Sequence, residues 1–238
     1  MRVIDSALKA LGKVREQTDS ILVGVSGKDS MVVLDLCCQV FPRVEAYTMR
    51  LLDIRMATYD AEVAARRHKV KLHIVPHWEA MAAVKNAILR WHRDDVTAMP
   101  NVKLRDVENG VRQASGIEWI ATGERMVDSS IRRFRFKKTQ GVLEDSKHVA
   151  PIYEWLDRDV VGYLRVKRIP LPERWGTKNL AMGSGFGLNE ACILYLKEHY
   201  PKDYERVREA FPFCEIFEKR RQFQAAQGAE VPGEEAAP

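Results

Sequence analysis

The chain has little cysteine, and none of it falls in a metal-binding rhythm. Cys37, Cys38, Cys192 and Cys214 are its four cysteines, and no C-x-x-C occurs. Neither a zinc site nor an iron–sulfur cluster is therefore expected, for want of a ligand framework. The six histidines offer no alternative. His68, His73 and His77 run across a helix, a strand and a loop, and they read as surface or structural side chains. Long apolar runs are also missing, which excludes a membrane-spanning helix. The opening Met1-Arg2-Val3-Ile4-Asp5 shows no signal-peptide core, so a cytoplasmic location is expected. The Walker pattern G-x-x-x-x-G-K-[ST] is absent too.

What the chain does hold is an ordinary globular composition, 46% hydrophobic and 30% charged. Its 238 residues suffice for one large α/β domain, or for one domain with an appendage. A net charge of +5 suits an anionic ligand such as a nucleotide and is compatible with nucleic acid.

The most informative stretch is Ile21 to Asp35. An apolar, β-prone run (Ile21-Leu22-Val23-Gly24-Val25) stops at Ser26-Gly27-Lys28-Asp29-Ser30, and an apolar helical run begins at Met31. A polar loop between strand and helix points backbone N–H groups and the positive end of the helix dipole at one spot, where phosphate is the usual occupant. Gly27 lets the chain turn and lets an anion approach, Ser26 and Ser30 add hydroxyls, and Lys28 adds a charge.

Further strands are expected at 44–52, 71–76 and 117–122, with helices at 3–17, 30–40, 57–68, 79–91 and 104–114 and a loop at 92–102. The alternation predicts an α/β fold, a Rossmann-like, doubly wound and mostly parallel sheet. Ligands in such sheets bind beyond the carboxyl ends of the strands. Residues 26–30 and 123–133 should therefore face one crevice.

Gly123-Glu124-Arg125-Met126-Val127-Asp128-Ser129-Ser130-Ile131-Arg132 follows the fourth strand. Arg forks there suit phosphate. From Arg132 to Lys138 five residues are basic and two aromatic. That run reads either as a solvated basic edge strand or loop, or as a nucleic-acid surface with bases stacked on aromatics between cations. Pro151, Trp155, Asp159, Val160 and Tyr163 form a third cluster that reads as scaffold, with Asp157 as a helix N-cap.

These three segments resemble the phosphoadenylyl-sulfate (PAPS) reductase branch of the PP-loop, N-type ATP pyrophosphatases. The loop of that family reads Ser-Gly-Gly-x-Asp-Ser, and here Ser26-Gly27-Lys28-Asp29-Ser30 matches with one glycine fewer. Gly123, Arg125, Asp128, Ser129 and Arg132 match Gly-x-Arg-x-x-Glu-Ser-x-x-Arg, with Asp for Glu, and the third cluster matches Pro-[IL]-x-x-Trp-x-x-x-Asp-Val-x-x-Tyr. The resemblance covers about residues 20–172. It implies a PP-loop nucleotide-binding α/β domain at 1–172; the residues beyond read by their own pattern as a helical C-terminal extension at 173–226, and the Gly/Pro/Glu/Ala-rich end as a disordered tail at 227–238.

The resemblance also implies an enzyme that binds Mg²⁺-ATP, cleaves it between the α- and β-phosphates and adenylylates a substrate. Lys28, Asp29, Arg125 and Arg132 would be its catalytic residues, and Ser26, Gly27, Ser30, Gly123, Asp128 and Ser129 would join them around the nucleotide. A sulfur-donor protein would be a partner if sulfur is transferred. Two alternatives stand beside this. One is a PAPS or APS reductase with Cys214 as an atypical thiol, since the family's C-terminal Glu-Cys-Gly-x-His is missing. The other is a non-catalytic module holding nucleotide, or nucleic acid through 132–138. The stretch Gly183-Ser184-Gly185-Phe186-Gly187 reads as a second phosphate-facing loop or as a connection. Cys37 and Cys38 read as small core residues.

Overall fold

A computed structural model describes residues 2–98, 100–171 and 187–227. The expected domain boundary near 172, residues 183–186 of the glycine-rich stretch and the tail from 228 lie outside the described residues. In chain order the first elements are α1 (Arg2–Arg15), β1 (Ser20–Gly24), α2 (Lys28–Val40), β2 (Arg43–Arg50), α3 (Arg55–His68) and β3 (Lys71–Pro76). Then come α4 (Trp78–Lys85), α5 (Asp94–Thr97), α6 (Leu104–Ser115), β4 (Ile120–Ala121), α7 (Ser130–Thr139), β5 (Val142–Leu143), β6 (His148–Val149) and α8 (Asp157–Val166). The last are α9 (Glu190–His199), α10 (Pro201–Ala210) and α11 (Ile216–Ala226).

The chain divides into two compact units. The first takes Met1–Met49, Thr58–Val75 and Leu104–Trp175, and contains the sheet. Strand order is β3-β2-β1-β4-β6-β5. β1 runs parallel to β2 and β4, β4 runs parallel to β6, and β5 pairs antiparallel with β6. The α/β, Rossmann-like reading therefore holds. Ile21, Leu22 and Val23 are each fully buried, because a central parallel strand is covered on both faces. Val32, Val33, Leu34 and Leu36 of α2 and Ala7, Leu11 and Val14 of α1 pack in the same core. From β1 the chain builds β2 and β3 on one side, then returns to build β4 and β6 on the other. The gap between β1 and β4 is thus a topological switch point, where open sheets of this kind receive ligands.

The second unit takes Arg50–Ala57, Pro76–Lys103 and the described residues after Gly176. Its core gathers Cys192, Ile193 and Leu196 of α9, Tyr204 and Val207 of α10, then Phe211 and Cys214, with Ile54 and Ala83. No helix among the described residues is long and apolar enough to cross a membrane.

Several local expectations need correction. The helix expected over 79–91 stops at Lys85, because Ala87 and Leu89 take left-handed backbone (φ 53° and 57°) that no α-helix accommodates. The expected loop at 92–102 contains the short α5. The basic run 132–138 is helical, within α7, and is neither strand nor loop. Asp157 is the first residue of α8 rather than its cap: Leu156 holds the cap position, and its N–H donates to the Asp159 carboxylate at 2.9 Å. Asp157 is thereby left available for other partners.

Candidate functional site

Three neighbouring parallel strands, β1, β4 and β6, each end in a loop that supplies charged side chains to one place. After β1 comes the N-terminus of α2. Ser30 is 5% exposed, and its Oγ accepts the N–H groups of Ser26 (2.9 Å) and Gly27 (3.0 Å) while donating to Gly27 O (2.8 Å). This clasp sets the bend of the shortened loop. Gly27 itself is extended (φ −172°), so the bend does not draw on the left-handed freedom of glycine. The first intrahelical bond runs from Met31 N–H to Gly27 O. Lys28, Asp29 and Ser30 occupy the first turn, where N–H groups have no upstream carbonyl to meet. Their dipoles add up to partial positive charge.

Gly123, just after β4, lies against that same turn. A Cβ on it would stand 2.9 Å from Ser30 N and 3.0 Å from the Asp29 carbonyl carbon. Any side chain there would strike backbone. The two segments picked out as sequence motifs are therefore in contact, and glycine is what permits it.

Arg125 follows and is 6% exposed. Its Nη1 donates to Asp157 Oδ1 (3.0 Å) and its Nη2 to Asp128 Oδ1 (3.2 Å). Its Nε lies 3.2 Å from Asp29 Oδ1, but the N–H is not aimed at that oxygen and makes no hydrogen bond. The Asp128 carboxylate also accepts the Arg125 backbone N–H at 2.9 Å, which ties the loop into a turn. Lys28 Nζ reaches Asp29 Oδ2 (3.0 Å) and Asp157 Oδ1 (2.8 Å). Asp157 thus bridges the two cations, although its own side chain is 70% exposed. The hydrogen bond from Lys28 holds its carboxyl below the usual carboxylate range; partial burial opposes this and the Arg125 hydrogen bond assists.

Of the expected site residues, Lys28, Asp29, Arg125 and Asp128 meet directly, and Ser26, Gly27, Ser30 and Gly123 form the backbone around them. Ser129 caps α7, its hydroxyl accepting the Arg132 N–H at 3.2 Å. Arg132 stands one carboxylate away: Nη1 pairs with Asp128 (3.3 Å) and Nε with Glu124 (3.0 Å). Asp157 and Glu124 are the residues that sequence reasoning missed. Asp157 opens the helix after β6, the strand that neighbours β4, and no local pattern in the sequence marks it.

An open, mostly parallel sheet with a polar loop at its switch point defines a Rossmann-like protein of the PP-loop type. The model of the phosphoadenosine phosphosulfate reductase domain matches residues 20–178, and the chain belongs to that family. A search among curated proteins finds no match. Among solved structures, the chain is similar to the U34-tRNA thiolase NcsA from Methanococcus maripaludis, with its [4Fe-4S] cluster (TM-score 0.51, 16% identity, 90% of this chain and 78% of that one). It is also similar to the PAPS reductase of Candida auris in a phosphate complex (0.45, 20%, 70% and 82%). The third is the NH3-dependent NAD synthetase of Campylobacter jejuni subsp. jejuni NCTC 11168 with nitrate (0.45, 13%, 100% and 98%).

The first of these corrects the expectation that an iron–sulfur cluster is ruled out. A chain of the same fold carries one, so the fold itself does not exclude a cluster. Ligands can converge from separate segments, which a spacing test does not see. In this chain, Cys37 belongs to the core of the first unit, and Cys192 and Cys214 to that of the second. Among the described residues, no three His, Cys, Asp or Glu side chains gather as metal ligands.

Proposed function

We propose that the chain binds an adenine nucleotide, with ATP as substrate, and cleaves it between the α- and β-phosphates to adenylylate an acceptor. The observation that carries this reading is Asp157 lying across Lys28 and Arg125 at 2.8 and 3.0 Å. An anionic oxygen already occupies the position that two cations favour. A phosphate oxygen fits the same notch and brings more charge.

In the reaction, a lone pair on the acceptor oxygen forms a bond to the α-phosphorus. The bond from that phosphorus to the bridging oxygen breaks, and its electron pair leaves with pyrophosphate, while the acceptor's proton passes to solvent. Negative charge grows on the departing pyrophosphate. Once the Asp157 carboxylate is displaced, the N–H groups of Lys28, Asp29 and Ser30, with the Lys28 and Arg125 side chains, meet it. Asp29 and Asp128 hold the cations in register, and Arg132 steadies Asp128. Donors of this kind are each worth about 10²–10³ in turnover.

Sulfonucleotide reduction is less well supported. It needs a thiolate nucleophile, and Cys214 is fully buried, its pKa pushed up to about 11 by burial and by Glu215 and Glu218. Burial and the charge of Asp35 push Cys38 up to about 11 as well.

The test is calorimetric titration with α,β-methylene-ATP and, separately, with PAPS, followed by an assay of pyrophosphate release from ATP across candidate acceptors. Binding of the ATP analogue in preference to PAPS, with pyrophosphate formed, is expected. Preference for PAPS would return the chain to sulfonucleotide chemistry. Binding of the analogue without turnover on any acceptor would leave a nucleotide-holding module.

A further inference from the structure

The sequence of α7, SIRRFRFKKT, has five basic residues and no acidic one. The structure sorts them into two sets. Arg132 and Arg135 turn toward Glu124 and Asp128 and are neutralised there. Arg133, Lys137 and Lys138 are exposed and make no ion pair with the described residues. At about 100° per residue, the outer arc of the helix reads Arg133, Lys137, Ser130, Phe134, Lys138, Ile131. Phe136 faces inward and is fully buried, whereas Phe134 is 80% exposed and Ile131 78%. A large aromatic ring thus stands in solvent, with Lys137 and Lys138 one turn on.

We infer that this outer face of α7 is a docking surface for single-stranded nucleic acid, with Phe134 as the stacking platform and Arg133, Lys137 and Lys138 on the phosphates. Three uncompensated cations on a helix about 15 Å long call for an extended polyanion. An exposed ring between cations suits an unpaired base, which a single strand offers and a duplex does not. A protein partner would favour fewer lysines at the centre of its interface. A membrane would need a wider apolar face than Phe134 and Ile131 supply. The inference goes beyond the nucleotide reading and stands without it, because α7 binds here through its own surface.

The test uses the full chain, without nucleotide, and a fluorescein-labelled single strand of about 12 nucleotides. Anisotropy is followed from about 50 to 200 mM salt. Replacing Arg133, Lys137 and Lys138 together by Gln should reduce the slope of log K against log salt by about 2, at about 0.7 per phosphate contact. Phe134→Ala should weaken binding about tenfold and leave that slope unchanged. A surface control, Lys202→Gln with Lys219→Gln, should do neither, and circular dichroism checks that each variant folds. The inference is overturned if the wild-type chain does not bind at low salt. It is equally overturned if the α7 variants bind like the control, if the matching duplex binds as tightly as the single strand, or if they lose only binding to phosphatidylserine vesicles.

Discussion

Two groups of cations lie within one unit of this molecule and are treated in opposite ways. Lys28 and Arg125 stand at strand ends, 15% and 7% exposed at the side chain, and every charge is met by Asp29, Asp128 or Asp157. Arg133, Lys137 and Lys138 stand on a helix surface without such partners. Burial explains the difference. A cation removed from water must be compensated or it destabilises the fold, so an anion site inside a crevice carries its own carboxylates until a ligand arrives. A cation left in water needs no compensation and remains open to any polyanion. The first arrangement selects a small, highly charged ligand that can outcompete a carboxylate. The second selects by length and by stacking.

The sharpest way to break the comparison is to empty the compensated side. Arg125→Ala leaves Lys28 alone to serve both Asp29 and Asp157, and Asp128 with only Arg132, and should cost about 2–3 kcal/mol in urea unfolding. That is toward the low end for a buried pair, because Asp157 is 70% exposed. Arg125→Lys should recover only part, since a single ammonium cannot serve three carboxylates in a fork. An unchanged urea midpoint would mean that the cluster is solvated like a surface.

Gly123→Val comes next. Its side chain would meet the Asp29–Ser30 peptide, and overpacking of this kind costs about 1–3 kcal/mol. Loss of nucleotide binding should accompany it, because the first turn of α2 must shift. Normal binding in a destabilised variant would show that the turn can move without consequence.

The smallest effect concerns pH. The Asp157 carboxyl is lowered in the folded chain, so its contribution is present above its unfolded value, near pH 4, and is lost as pH falls through its lower folded value. Exposure limits the contribution to less than about 1 kcal/mol. Melting curves of wild type and Asp157→Asn should therefore differ modestly at neutral pH and converge in acid. Divergence on acidification would reverse the sign of the interaction.

Features written locally were the legible ones. The loop at Ser26–Ser30 and the turn at Gly123–Asp128 announce themselves through adjacent residues, and their contact follows from both lying at strand ends of one sheet. Asp157 was not legible, because its role depends on β6 lying beside β4, a pairing of segments far apart in sequence. The helical state of 132–138 was hidden by Phe134-x-Phe136, whose alternation mimics a strand. Its true signal was Ser129, three residues before the Arg132 N–H that it caps. The two-residue β5 and β6 are too short to leave any pattern, and the left-handed Ala87 and Leu89 end α4 without the glycine that normally marks such a stop.

The central claim is that the notch between Lys28 and Arg125 is a phosphate site held in reserve by Asp157. It is tested most directly by calorimetric titration of α,β-methylene-ATP into wild type, Lys28→Ala and Asp157→Asn. The account predicts opposite signs: about tenfold weaker binding for Lys28→Ala and severalfold tighter binding for Asp157→Asn, whose amide no longer competes for the cations. Weaker binding in both variants would contradict it, because Asp157 would then belong to the binding set and not stand in for the ligand.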